Sequence, residues 1–154
     1  MKVLITGGFG FVGGRLGQHL IERGFEIIIG SRKVRELPNW IKHAEIMQTE
    51  WNNKLALFDI CDGVDVVIHT AGMNAQACAS DPEQAIAFNG TVTADLVSSA
   101  VTQRVQKFIY LSTAHVYKEP LVGRISESSQ TTNTHPYATS HLAGEIPVLE
   151  ASKN

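Results

Sequence analysis

The stretch Thr6-Gly7-Gly8-Phe9-Gly10-Phe11-Val12-Gly13 constrains this 154-residue chain more than any other. It joins an apolar, β-branched run, Lys2–Thr6 (KVLIT), to a helical pattern over Phe11–Arg23. There Phe11, Val12, Leu16, Leu20 and Ile21 recur at helix spacing, and Gly24 stands as a C′ residue. The turn scans as G-x-x-G-x-x-G from Gly7 and as G-x-G-x-x-G from Gly8. Between a strand and a helix, the first glycine allows a tight turn and Gly10 lets a pyrophosphate approach the backbone. Gly13 allows the helix to pack closely on the strand, and the helix start at Phe11 and Val12 supplies N–H donors and the positive dipole end. A purely structural turn is the competing reading. Strand, turn and helix fall in the right order for a bound dinucleotide.

The rest of the chain repeats this alternation. Phe25–Ile29 reads as a second strand, Ala44–Gln48 as a weaker third, Val64–His69 as a fourth and Lys107–Ser112 as a fifth. Asn53–Phe58 reads as a short helix. Asp81-Pro82-Glu83 combines an N-cap, an N1 proline and a first-turn acid, which predicts a long helix from Pro82 to about Gln103. Ser126–His135 is a polar loop without periodicity, and Pro136 opens a last helix to about Ala151. Strands apolar throughout and separated by helices predict an α/β, doubly wound parallel sheet, Rossmann-like, in an order such as 3-2-1-4-5. No linker, repeat or low-complexity tract interrupts this pattern, which predicts one domain over residues 1–154.

Composition sets the outer limits. A chain of this length can bury roughly 68–70% of its unfolded surface, enough for a core without disulfides or metal. With 13 basic and 15 acidic residues, its formal charge of −2 argues against a general grip on nucleic acid or anionic lipid. No run of about 18 apolar residues is present to span a membrane. The start MKVLITGG enters a strand with no secretory h-region. Cys61 and Cys78 form no disulfide framework, so the expected setting is the reducing cytoplasm.

The end of the second strand bears on the dinucleotide. An NAD site usually places Asp or Glu there to hold the ribose 2′-hydroxyl. This chain has Gly30-Ser31-Arg32-Lys33 instead. Ser31 can donate to a 2′-phosphate, and Arg32 can pair with it and stack on adenine. The alternative is a solvated basic loop. The residues favour NADP(H) over NAD(H).

In order, the chain carries the glycine turn, Asp59-Ile60, His69-Thr70-Ala71-Gly72, Asn89, Leu111-Ser112-Thr113-Ala114 and Pro136-Tyr137. With this set it resembles the extended short-chain dehydrogenase/reductases, the NAD(P)-dependent epimerase/dehydratase group acting mostly on nucleotide sugars. The resemblance covers residues 1 to about 150. It implies that Asp59 and Ile60 flank the adenine, that Thr70, Ala71 and Gly72 line the cofactor, and that Asn89 supports the nicotinamide side. Asp59 as a helix cap and Asn89 as a buried polar residue are the alternatives. The resemblance also implies a homodimer paired through the helices after strands four and five.

Catalysis, by the same resemblance, rests on Tyr137 and Thr113. A tyrosine phenolate moves a proton to or from a substrate hydroxyl while hydride passes to or from the nicotinamide. The Thr hydroxyl hydrogen-bonds the same oxygen. Free phenol ionises near about 10, so the family lowers that value with a lysine four residues on and with the cofactor's charge. Here the fourth residue on is His141. Imidazole ionises near about 6.5 and is mostly neutral at pH 7, so the substitution predicts weak or pH-shifted activity. An exposed histidine in a degenerate site is the alternative. A second departure is Val92 where the resemblance expects glycine, with Gly90 earlier instead at a cost of about 1 kcal/mol to the helix.

Six histidines show no metal-ligand spacing, and His69 reads as a packed residue at a strand end. Lys33, Arg35 and Lys42 read as a solvated face, and Trp40 and Trp51 as packing over the sheet edge. Three functions remain open. The first is an NAD(P)-linked epimerase, dehydratase or reductase acting on a nucleotide sugar or a related hydroxyl/carbonyl substrate. The second is a catalytically silent dinucleotide-binding module that senses cofactor or docks a partner. The third is an inactive N-terminal piece of a longer enzyme, since the resemblance implies a C-terminal substrate region beyond Asn154.

Overall fold

The computed structural model describes residues 1–153. They group into two compact units, residues 1–71 with 95–111, and residues 72–94 with the segment from Ser112 on. The first unit holds the entire sheet: β1 (Lys2–Thr6), β2 (Glu26–Ser31), β3 (Glu45–Gln48), β4 (Val66–His69) and β5 (Lys107–Tyr110). All neighbouring pairs are parallel and the order is β3-β2-β1-β4-β5, as the sequence predicts.

Because side chains alternate along a strand, the apolar runs serve two faces at once. Val3, Ile5, Ile27, Ile29 and Ile68 share one face with Ile41 and with Leu16, Leu20 and Ile21 of α1 (Phe11–Ile21). Leu4, Ile28 and Val67 share the other with Leu57 of α2 (Lys54–Asp59), with Ile60, Cys61 and Val64, and with Leu96 and Ala100. Each such aliphatic side chain contributes about 1.5–3 kcal/mol when fully buried. β1 keeps its expected bounds, whereas β2 runs on to Ser31, β3 starts at Glu45, β4 starts only at Val66, and β5 ends at Tyr110 instead of Ser112. Leu111 still donates its N–H to the carbonyl of His69, and regular pairing stops there. Trp51 packs against the second of these clusters, whereas Trp40 lies against Gly14 of α1 instead of over the sheet edge.

The second unit is helical. It contains α3 (Ala75–Ser80), α4 (Pro82–Ala85), a π-helical segment Ile86–Val92, the start of α5 (Thr93–Thr102), and α6 (Pro136–Ala151). The sequence predicts α6 within its observed bounds and misses α3, which is too short for apolar periodicity to register. Asn74 caps α3, its side chain accepting from the N–H of Ala77 at 2.9 Å. The helix expected from Pro82 to Gln103 is helical from Pro82 to Thr102 but widened to π geometry around Asn89 and Gly90. Gly90 earns its place there: a Cβ on it would stand 3.0 Å from the Cβ of Ala143 in α6. Among the described residues no helix is long and apolar enough to cross a membrane.

Candidate functional site

In the first unit, the glycine turn is shaped by the chain that follows β4. Gly7 has φ +70°, and a Cβ there would fall 2.8 Å from the Ala71 nitrogen and 2.9 Å from Thr70 Oγ1. A Cβ on Gly13 would fall 2.6 Å from the Gly7 carbonyl oxygen and 2.7 Å from Thr70 Oγ1. Thr70 is anchored by donating its hydroxyl to the Thr6 carbonyl at 2.7 Å. So Thr70 and Ala71 form the back wall of the turn, and no side chain larger than hydrogen fits at Gly7 or Gly13.

Gly10 is the N-cap of α1 and brings no side chain to its N–H groups, while its own N–H donates to the Gly7 carbonyl at 2.8 Å. The first turn carries no acid, and Phe11 and Val12 are exposed. Open backbone donors at the positive end of an 11-residue helix fit the pyrophosphate of a dinucleotide. Two guanidinium groups sit beside the turn: Arg35, which the sequence places on a solvated face, and Arg15, which sequence reasoning missed. Arg35 lies 4.0 Å over the Phe9 ring and Arg15 lies 4.7 Å over the Phe11 ring. Arg15 stands one helical turn from Phe11, a spacing the sequence carries, whereas α1 and β2 separate Arg35 from Phe9, so no local spacing marks that pair.

The other first-unit candidates separate by burial. At the end of β2, Ser31 is buried and its hydroxyl donates to the Lys33 carbonyl at 2.8 Å, whereas Arg32 is exposed. Asp59 ends α2 and is exposed, while Ile60 is 1% exposed and belongs to the core, so its side chain is committed to packing. His69 is packed as expected, its Nδ1 2.6 Å from Thr6 Oγ1 and its ring beside Trp51, Phe108 and Tyr110.

The second unit holds Gly72, Asn89, Thr113, Tyr137 and His141. Tyr137 and Ala138 line a cleft of about 190 Å³ with Ala75, His115, Glu119, Asn133 and His135. One helical turn from Tyr137, His141 is 6% exposed, which rules out the exposed-histidine reading. Its ring meets that of Tyr137 edge-on, with centroids 4.6 Å apart. Burial pushes the His141 pKa below the ordinary 6.5, so the imidazole is neutral at pH 7. Thr113 caps the short turn Ala114–Val116, its Oγ1 accepting from the His115 N–H at 3.2 Å. That bond leaves the Thr113 hydroxyl proton available to an acceptor.

Asn89 is 1% exposed and ties three segments together. Its Oδ1 accepts from the Met73 N–H at 2.9 Å, and its Nδ2 donates to Ser140 Oγ at 3.0 Å. Ser140 Oγ in turn donates to the Tyr137 carbonyl at 3.1 Å. The Asn89 carbonyl takes the hydroxyl of Thr93 at 2.7 Å. Thus the loop at Met73, the π segment and the tyrosine helix share one buried polar network, and a Cβ on Gly72 would touch Asn89 Oδ1 at 3.4 Å. Ser140 was not singled out from sequence, although its place three residues after Tyr137 puts it near the same helix face.

Comparison with known proteins agrees with this architecture. The NAD dependent epimerase/dehydratase family matches residues 3–154. The dTDP-D-glucose 4,6-dehydratase of Homo sapiens is 32% identical over 160 residues, covering 94% of this chain and 45% of that protein. A UDP-glucose 4-epimerase of Klebsiella pneumoniae is 30% identical over 128 residues, covering 76% of this chain and 92% of that protein. The structure of UDP-glucuronic acid 4-epimerase from Bacillus cereus, solved with UDP-glucuronic acid and NAD, superposes with a TM-score of 0.84. It is 26% identical, with 100% of this chain and 53% of that one covered. This chain therefore spans about half the length of the human dehydratase and of the Bacillus cereus epimerase. By its matched residues and its sheet order, the chain belongs to the NAD dependent epimerase/dehydratase family.

Proposed function

We propose that this chain carries the cofactor-binding and proton-transfer residues of an enzyme that oxidises or reduces a nucleotide sugar, working in the cytoplasm, with Tyr137 as the acid/base. The observation that carries the reading is Tyr137 in the wall of a cleft, with its fourth neighbour along the helix packed on its ring. A bound nicotinamide dinucleotide supplies the hydride acceptor or donor. The chain's own residues handle the rest. Gly7, Gly10 and Gly13 admit the pyrophosphate to the backbone, with the amides of Phe11 and Val12 as donors. Thr113 directs its unused hydroxyl proton to the reacting substrate oxygen, and Tyr137 takes or returns the proton of that hydroxyl. Neutral His141 orients the phenol ring without bringing the positive charge that a lysine would.

For the cofactor, exposed Arg32 and the lack of a carboxylate beside it support acceptance of a 2′-phosphate, hence NADP(H) alongside NAD(H). Ser31, whose hydroxyl already serves Lys33, contributes less. Asp59 reaches solvent and so is free to meet the adenosine, whereas Ile60 offers only its backbone.

Calorimetric titration with NADPH and NADH tests the reading. Binding is expected, with Arg32→Ala weakening NADPH by about tenfold and NADH hardly at all. No binding of either cofactor overturns it. The neutral His141 favours a second reading, a silent dinucleotide-binding module. Binding without turnover of UDP-glucose or dTDP-glucose, in the full-length protein, selects that one.

A further inference from the structure

The tyrosine helix begins on an unusual cap. His135 is the N-cap of α6, and its Nδ1 accepts the N–H of Tyr137 at 3.1 Å. A backbone N–H can only donate, so Nδ1 carries no proton and the ring proton of the neutral form sits on Nε2. His135 is held on both sides of its side chain. Its N–H donates to Asn133 Oδ1 at 2.9 Å, and its carbonyl accepts the N–H of Thr139 at 3.0 Å. The same ring lines the cleft beside Tyr137.

We propose that His135 is a positioning residue for Tyr137, capping the tyrosine helix only while its imidazole is neutral and presenting Nε2–H to the cleft. Protonation of Nδ1 replaces the acceptor with a donor. It also sets a cation at the positive end of a 16-residue helix whose first turn holds no acid. The other side-chain caps among the described residues are Asn53, Asn74, Asp81 and Thr113, each of which accepts through an oxygen. His135 is thus, among the described caps, the one whose acceptor is a nitrogen that a proton can occupy. The ionisable groups lining the cleft with it are His115, Glu119 and Tyr137. The catalytic meaning rests on Tyr137 as the proton-transfer residue; the cap itself is independent of turnover.

Amide exchange and imidazole ¹⁵N shifts on the intact chain test this. At pH 7.5 His135 is expected in the Nε2–H form. Between pH 7.5 and pH 5.5, Tyr137 amide protection, corrected for intrinsic exchange, should fall about fivefold, the typical worth of a cap. Protection of Ala56, capped by Asn53 at 3.2 Å, should stay constant as the internal reference. His135→Asn keeps a cap acceptor and should reduce the pH response at Tyr137 to the part that His141, packed on its ring, contributes. An Nδ1–H form, a flat Tyr137 profile in the unaltered chain, or the same response in His135→Asn overturns the proposal. Titration of the same sample with NADH reports the functional reading separately, since cofactor binding does not depend on the cap.

Discussion

The imidazole of His141 stands edge-on to the phenol of Tyr137, centroids 4.6 Å apart and planes at 72°. The pair lies one turn apart on α6, the spacing at which helix side chains meet. Burial keeps His141 neutral, so the position that carries a lysine ammonium in the resemblance here carries an uncharged ring. In a full-length active enzyme, His141→Lys should therefore raise turnover at pH 7 and move the pH optimum downward. Unchanged kcat and an unchanged pH–rate profile count against Tyr137 as the proton-transfer residue with His141 beside it.

The same burial gives His141 a stability signature. Its pKa is lower folded than unfolded, so below about pH 6.5 the unfolded chain binds a proton that the folded chain refuses. Stability is complete above that value and falls as pH drops toward the folded-state pKa. The loss is at most about 1.4 kcal/mol per pH unit for this one proton. Urea unfolding between pH 7.5 and pH 5 should show that slope, and His141→Gln should flatten it.

Gly13→Ala is expected to destabilise the chain by about 1–3 kcal/mol. The added methyl would meet the Gly7 carbonyl and Thr70 Oγ1, both anchored. Cofactor binding should weaken in parallel, because the turn must open to admit the methyl. Gly24→Ala is a useful contrast: nothing lies within 4 Å of its Cβ, so only the cost of φ +79° remains. A thermal melt showing Gly13→Ala as stable as the unaltered chain would be inconsistent with a closed turn.

Asn89→Leu should cost about 2–4 kcal/mol, since the Met73 N–H then loses its buried acceptor and an apolar side chain of similar shape replaces the amide. The loss should extend to the helix, seen as faster amide exchange around Ser140. Asn89→Asp keeps the acceptor for Met73 but not the donor to Ser140, so it should fall between the two.

Cys61 is fully buried in the core, and burial pushes its thiol pKa up to about 12. It should resist a thiol-specific reagent at pH 8 while the chain is folded and react once urea unfolds it. Cys61→Ser places a hydroxyl among Leu57, Val64 and Leu96 and is expected to cost about 1–3 kcal/mol. Rapid native labelling of Cys61 would contradict the packing of this face.

The sheet order was legible because Val, Ile and Leu runs such as KVLIT and VVIH carry no polar alternation, which only a sheet covered on both faces tolerates. The glycine turn was legible for a related reason: glycine is the one residue whose presence marks missing space. The bulge at Asn89 left no such mark. Its sequence, IAFNGTV, is compatible with an ordinary α-helix, and only the approach of Ala143 shows why Gly90 lies there.

Sequence alone thus determined the parallel architecture, the closed glycine turn and the identity of Tyr137 and His141 as helix neighbours, because each follows from periodicity or from residue size along the chain. Tertiary structure alone decided the protonation of His141, the commitment of Ile60 to the core and the linkage of Asn89 through Ser140 to Tyr137. Those properties depend on how much water reaches a side chain and on which distant group meets it. Burial and long-range contact are set by packing in three dimensions, and no spacing in the sequence encodes them.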